Sequence, residues 1–285
     1  MMNRDIPKKL KYKRKKKMLI LMIIALLIAM WAYSNFRVVT TEYTISSDKI
    51  PESFDGYTIV QISDVHGRQY GDDNSILVGM VREQTPDIIA ITGDFIDRRP
   101  NLERAKTLVS QLVEIAPVYY VSGNHEWDSG KQYELFAILD GLGVKIMYDE
   151  SVLLTRGEDS IVLAGVQDPN SWEIRQSPTE LMDAVTETYP EKYRILLMHR
   201  NNAAKKYPDL QTDLVICGHA HGGIIRLPYF GGVLGVDRNL FPDDEDSVIG
   251  QGNYDIVVSH GLGENLFRAR FLNPPEIVVV KLSSK

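Results

Sequence analysis

The sequence predicts an α/β fold of two mixed sheets packed face to face, with helices on the outer faces and one transmembrane helix at the N-terminus. Three features carry that expectation. Residues 57–142 alternate short aliphatic runs with stretches of helical spacing, and this β-α-β-α-β-α rhythm indicates a largely parallel sheet covered by helices. The second half of the chain is richer in strands than one helix-covered layer would hold. Met18 to Tyr33 is a run of sixteen residues without a charge.

The N-terminus divides by charge. Nine Lys/Arg against Asp5 give residues 1–17 a charge of +8, so with −6 overall the remaining 268 residues carry −14. Residues 1–17 are expected as a basic cytoplasmic segment and 18–36 as a transmembrane anchor. Sixteen residues fall slightly short of the roughly 17–25 of a spanning helix. Ser34 to Phe36 and snorkelling lysines extend the run, and Trp31 and Tyr33 sit where an interfacial aromatic belt belongs. The positive-inside rule then places residues 37–285 on the extracytoplasmic side of the cell membrane. A cleaved signal peptide is the competing reading, with Ala32-Tyr33-Ser34 as its small-x-small site and the aromatic residues there counting against it. Both readings export the domain. Its acidic surface argues against nonspecific nucleic-acid binding, so no nucleic-acid partner is expected. Cys217 is the one cysteine, which excludes a disulfide within the chain; its apolar strand marks it as a small core residue.

In order, residues 37–53 read as a linker, with Pro51 ending the approach to a first strand, and residues 54–285 as one domain. Tyr57 to Ser63 is a predicted strand, followed by helical spacing around Ser75 to Gln84. Asp87 to Thr92 and Leu102 to Glu114 form the next strand and helix, then Pro117 to Ser122 and Gln132 to Leu142. Further strands are expected at 144–148, 152–155, 161–165, 195–198, 214–217, 255–259 and 277–282, with one helix between Pro178 and Tyr189. The Gly-rich segment 228–252 reads as a long irregular loop over the site, with its acidic run 243–246 as a solvated tip.

Short polar motifs follow the strands. Asp64-Val65-His66 comes first, then Gly93-Asp94-Phe95-Ile96-Asp97-Arg98, Gly123-Asn124-His125-Glu126, His199-Arg200, and Gly218-His219-Ala220-His221-Gly222. Ligands of open α/β sheets bind beyond the carboxyl ends of strands, where each motif begins. Carboxylates, imidazoles and an amide oxygen are the donors that hold divalent cations without thiolate. Asp94 has two oxygens and can bridge a pair of them. Singly, each motif is weak, since a histidine near a strand end is commonly a hydrogen-bonded structural residue. Five in this order are not a chance pattern.

The series resembles that of the calcineurin-like metallophosphoesterases, across about Ile59 to Gly223. The segments 222–228, 259–263 and 273–277 are similar to those of the membrane-associated bacterial branch of that family. The resemblance implies a four-layer α/β/β/α sandwich and an N-terminal anchor. It also implies site roles: Asp64, His66, Asp94 and His221 hold one metal, and Asp94, Asn124, His199 and His219 hold the other. His125 is not a ligand in this scheme but contacts the phosphate and protonates the leaving oxygen. Asp97 orients His125. Two divalent ions (Mn, Fe or Zn) then clamp the phosphate and generate a metal-bound hydroxide for in-line attack. The expected substrates are phosphodiesters or pyrophosphates near the membrane, lipid-linked ones among them. A broad phosphomonoesterase and a noncatalytic membrane protein with structural metals are the alternatives.

Arg200 departs from the branch, in which a proline often follows that histidine. It either binds a substrate phosphate or is an ordinary surface arginine. Arg68, Arg98 and Arg226 are lesser candidates, and His260 is read as a structural loop residue.

Overall fold

A computed structural model of the chain describes residues 8–173, 176–227, 229–235, 239–242, 246–250, 252–263 and 270–285. Helix α1, Lys8–Phe36, is continuous through the lysine run and the apolar stretch. Its segment Tyr12–Phe36 is long and apolar enough to cross a membrane, and almost all of it is exposed. Next come β1 (Val39–Ser47), β2 (Thr58–Ile62), α2 (Ser75–Glu83), β3 (Ile88–Thr92), α3 (Leu102–Leu112) and β4 (Val118–Val121). They are followed by α4 (Asn124–Ser129), α5 (Gln132–Gly141), β5 (Lys145–Ile146), β6 (Glu150–Arg156) and β7 (Asp159–Gly165). The remainder comprises α6 (Pro178–Thr188), β8 (Arg194–Leu197), α7 (Ala203–Lys206), β9 (Leu214–Cys217), β10 (Ile225–Leu227), β11 (Gly231–Leu234), β12 (Asp255–Val258) and β13 (Glu276–Ser284).

The strands form two mixed sheets. One has the order β1-β13-β2-β3-β4-β5, the other β12-β9-β8-β7-β6. Within the first, β2, β3, β4 and β5 run parallel; within the second, β12, β9, β8 and β7 do. Alternation along each strand builds three layers of core. Ile59, Ala90, Val121, Leu163, Ile195, Ile216 and Val278 meet between the sheets. Val60, Ile62, Ile89 and Ile91 point the other way, onto Leu77, Val81, Leu108 and Leu112 of α2 and α3. Val162, Leu196 and Val215 face Leu181, Met182 and Val185 of α6. Strands buried on both faces read as continuous aliphatic runs, which is why they were visible in sequence. The α/β/β/α order is the expected one, and Cys217 is buried in it.

Two expectations are corrected. The segment 37–53 is not a plain linker, because β1 pairs in parallel with β13 over nine residues. It is an edge strand whose exposed positions carry Thr, Glu and Ser, so it lacks an aliphatic signature. The stretch 228–252 is not wholly irregular: β11 returns antiparallel to β10, with a register shift between Ile225 and Arg226. Residues 243–245 of the acidic run lie outside the described residues; Asp246 pairs with Arg226 rather than standing free in solvent.

Candidate metal centre

The parallel strands of both sheets deliver the motifs to one place. Asp64 and His66 follow β2, Asp94 follows β3, Asn124 and His125 open α4 just after β4, His199 follows β8, and His219 and His221 follow β9. The backbone turns sharply at each delivery. Asp64, His66, Asp94, His219 and His221 all have left-handed φ, from 48° to 74°. Such strain in non-glycine residues persists only where surrounding structure enforces it, and it concentrates at functional sites. Close approach also requires glycine: a Cβ on Gly218 would stand 2.0 Å from Ser63 Oγ and 2.4 Å from Asp64 Oδ2.

Three donor groups result: Asp64 with His66 and His221, Asp94 with His199 and His219, and, at the rim, His66 with Asp97 and His125. In the first, His66 Nε2 lies 3.2 Å from His221 Nε2, and His221 Nε2 lies 3.6 Å from Asp64 Oδ1. In the second, His219 Nδ1 lies 3.1 Å and Asn124 Oδ1 3.3 Å from His199 Nε2. Asp94 Oδ2 is between these two groups, 3.7 Å from His66 Nε2 and 3.4 Å from His199 Nε2. Asp64, Asp94, Asn124, His199 and His221 are buried. Burial holds His66 and His221 below the ordinary imidazole value and takes His219 to about 2, so these rings are neutral. Burial opposes charge on His199 too, but Asp94 overrides it and lifts His199 to about 10. Desolvation also works against Asp94, whose carboxyl is nonetheless held well below its usual range by His199, His66 and His125. Neutral nitrogen lone pairs and carboxylate oxygens crowding one another at these distances fit divalent cations, which would replace the single proton on His199.

His125 stands at the rim. Its Nδ1 is 2.9 Å from Asp97 Oδ1 and its Nε2 is 3.9 Å from Asp94 Oδ2. Burial alone would raise the Asp97 carboxyl, but the Arg98 N–H and His125 lower it. The Arg200 fork grips Asp168, with Nε 2.7 Å from Oδ2 and Nη2 3.1 Å from Oδ1, while Nη1 lies 3.0 Å from His219 Nε2. It is therefore not an ordinary surface arginine. Arg98 pairs with Asp128 and Arg226 with Asp246, while Arg68 donates to the Asn35 carbonyl. His260 is a loop residue whose N–H donates to Glu276.

Four supporting residues carried no role in the sequence reading. Buried Glu126 accepts from the backbone N–H groups of Asp94, Gly123 and Ile96, tying two ligand loops together. Its place inside the third motif was the available signal. Asp168, which holds Arg200, had none. Arg270 is buried, donates to the carbonyls of Gly261 and Gly263, and sits 3.3 Å from His221 Nδ1. Thr92 offers its carbonyl to His199 Nδ1 at 2.8 Å. The Thr92 contact makes Nδ1 the protonated nitrogen of a neutral His199 and leaves its Nε2 for a cation.

Residues 57–223 match the family model for calcineurin-like phosphoesterases. The metallophosphoesterase YkuE of Bacillus subtilis is 28% identical over 251 residues, spanning 86% of this chain and 85% of that protein. A metallophosphoesterase of Aquifex aeolicus is 30% identical over 275 residues, spanning 93% and 99%. The phosphodiesterase YaeI of Escherichia coli is 26% identical over 238 residues, spanning 79% and 82%.

Proposed function

The chain belongs to the calcineurin-like phosphoesterase family of metal-dependent hydrolases, and we propose that it cleaves phosphodiester or pyrophosphate bonds at a two-metal centre beside a membrane. The observation that carries the reading is Asp94 Oδ2, within 3.7 Å of a ring nitrogen in each donor group. A carboxylate there is shared between two sites. In this reading Asp64, His66, Asp94 and His221 hold one cation, and Asp94, Asn124, His199 and His219 the second. The donor set suits Mn, Fe or Zn. When bound, the cations supply Lewis acidity that polarises the phosphoryl group and acidifies a water nucleophile.

The chain's own residues do the rest. Asp97 accepts a hydrogen bond from the Nδ1–H of His125, which orients the ring with Nε2 toward the leaving oxygen; as the imidazolium, His125 gives its Nε2 proton to that oxygen and keeps the Nδ1–H on Asp97. Arg200, its fork braced by Asp168, keeps an Nη1 N–H beside His219 to contact a phosphoryl oxygen. The diester preference is supported by the name of the YaeI relative.

The anchor is part of the same reading. The lysines of residues 1–17 stay in the cytoplasm, 18–36 cross the membrane, and 54–285, with β1, form the extracytoplasmic domain. Retention rather than cleavage is supported by Ser34 Oγ, which accepts the Leu272 N–H at 2.8 Å and would be lost with a signal peptide. Substrates held in or near the bilayer, lipid-linked phosphates included, suit that placement.

The test uses the full chain in detergent with bis-p-nitrophenyl phosphate and the monoester, with and without Mn, alongside Asp94→Asn and His125→Ala. Mn-dependent diester turnover is expected, lost in both variants, with His125→Ala still binding cation. Faster monoester turnover would replace the diester assignment. Protein that binds two cations but turns over neither ester, nor any lipid-linked phosphate, would leave the noncatalytic reading.

A further inference from the structure

The hairpin β10–β11 displays large apolar side chains to solvent. Tyr229, Phe230, Leu240 and Phe241 are each at least 61% exposed, and Leu227 is 39% exposed. All five belong to one unit. Phe230 N–H donates to the Leu227 carbonyl, and Phe241 N–H to the Val233 carbonyl of β11, beside a bridge between Leu234 and Leu240. Scattered exposed apolar residues are ordinary, but four large ones on a single projection mark a contact surface.

The occupant is indicated by what holds the hairpin's base. Three consecutive residues, Arg270, Phe271 and Leu272, join it to the end of the anchor. On one side, Asn35 pairs reciprocally with the Arg270 backbone (Nδ2 to O 2.8 Å, N to Oδ1 3.0 Å), and Ser34 Oγ receives Leu272 N–H. On the other, Phe271 N–H donates to Ile224 and the Phe271 carbonyl accepts from Arg226 N–H. The last turn of α1 and the start of β10 are thus clasped to the same three-residue segment, whose Phe271 bridges to Ile225. From Ile225 the chain needs five steps to Phe230, so the tip stays within about 17 Å of that clasp at roughly 3.3 Å per residue. Trp31, Tyr33 and Phe36 are exposed on the same end of α1, where an aromatic belt meets the headgroups.

We propose that the hairpin is a second membrane contact, with Tyr229, Phe230, Leu240 and Phe241 inserted in the headgroup region of the leaflet into which the anchor emerges. Tyr, Phe and Leu favour that boundary, and a partly buried apolar loop adds binding energy to a single anchor. Because β10 begins four residues after His221, the contact would hold the metal centre against the lipid surface and favour phosphate esters presented there. The inference rests on the reading of α1 as a membrane anchor.

The experiment uses the full chain in lipid nanodiscs, with an environment-sensitive probe on Phe230→Cys or Phe241→Cys. Buried Cys217 stays unlabelled. Met22→Cys, in the middle of the anchor, and Glu158→Cys, in the β6–β7 turn at the opposite end of the sheets, are the references. Spin-labelled lipids of shallow depth are expected to quench the hairpin probes about twofold, deep ones to quench Met22→Cys, and neither to affect Glu158→Cys. Quenching at Met22 with none at 230 or 241 would overturn the hairpin contact alone. No quenching at Met22 would overturn the anchor, and the hairpin proposal with it. As an activity readout, Tyr229→Ser combined with Phe230→Ser and Phe241→Ser is expected to lower turnover of a vesicle-embedded diester about tenfold while sparing a soluble one. Equal loss on both would contradict lipid contact.

Discussion

Removing the Glu126 side chain should unfasten the metal centre without touching a proposed ligand. Its Oε2 accepts from Asp94 N–H at 2.9 Å and Gly123 N–H at 2.6 Å, and Oε1 from Ile96 N–H at 3.0 Å. The residue is wholly buried, so Glu126→Ala orphans three N–H groups, each costing about 1–3 kcal/mol. Water entering the vacated space recovers part of this, which leaves about 3–5 kcal/mol. For a domain of this size, about 1 kcal/mol shifts Tm by roughly 2–4 °C, so a drop on the order of 10 °C is expected. All three donors belong to the loops carrying Asp94 and Asn124, so cation affinity should fall as well. Circular dichroism of the full chain in detergent gives Tm, and equilibrium dialysis against Mn gives affinity. A Tm within about 2 °C of wild type, with cation binding unchanged, would refute the argument that Glu126 clamps these loops.

Gly218→Ala places a methyl group against Ser63 Oγ and Asp64 Oδ2; overpacking of this kind costs about 1–3 kcal/mol, and dialysis should show weakened Mn binding, with wild-type affinity contradicting it. Arg200→Lys loses the fork on Asp168 and the contact with His219, so KM for the diester should rise about tenfold with kcat little changed; a fall in kcat alone would point elsewhere. His199 is raised to about 10 in the metal-free protein, so the stability it contributes is complete below its unfolded value near 6.5 and is lost as pH rises through about 10. The lowered His66, His219 and His221 act with the opposite sign, contributing above about 6.5 and losing that as pH falls. Metal-free protein should therefore lose Tm on both sides of neutrality, and calorimetry in buffers of different ionisation enthalpy should find about one proton released on cation binding, absent in His199→Ala. A flat pH profile and no proton release would contradict the charge assignment.

The division between what could and could not be read from sequence follows from distance along the chain. Proposed ligands were legible because each is fixed by a strand and turn of its own: Asp64-Val65-His66 and His219-Ala220-His221 are local patterns at strand ends. The interior strands were legible because burial on two faces forces continuous aliphatic runs. β1 escaped because one of its faces is solvated and its partner, β13, is more than 230 residues away. Asn35, Arg270 and Asp168 escaped for the same reason; the Asn35–Arg270 pair spans 235 positions, and no local pattern anticipates it. Glu126 lay in plain view, but its role depends on backbone groups that only the fold brings within reach.

The shared position of Asp94 is tested most directly by electron paramagnetic resonance of the full chain loaded with Mn. A carboxylate bridging two ions predicts two Mn per chain whose spins are exchange-coupled, with the coupling abolished in Asp94→Asn. One ion per chain, or two that give the signal of isolated Mn in the wild type, would contradict it.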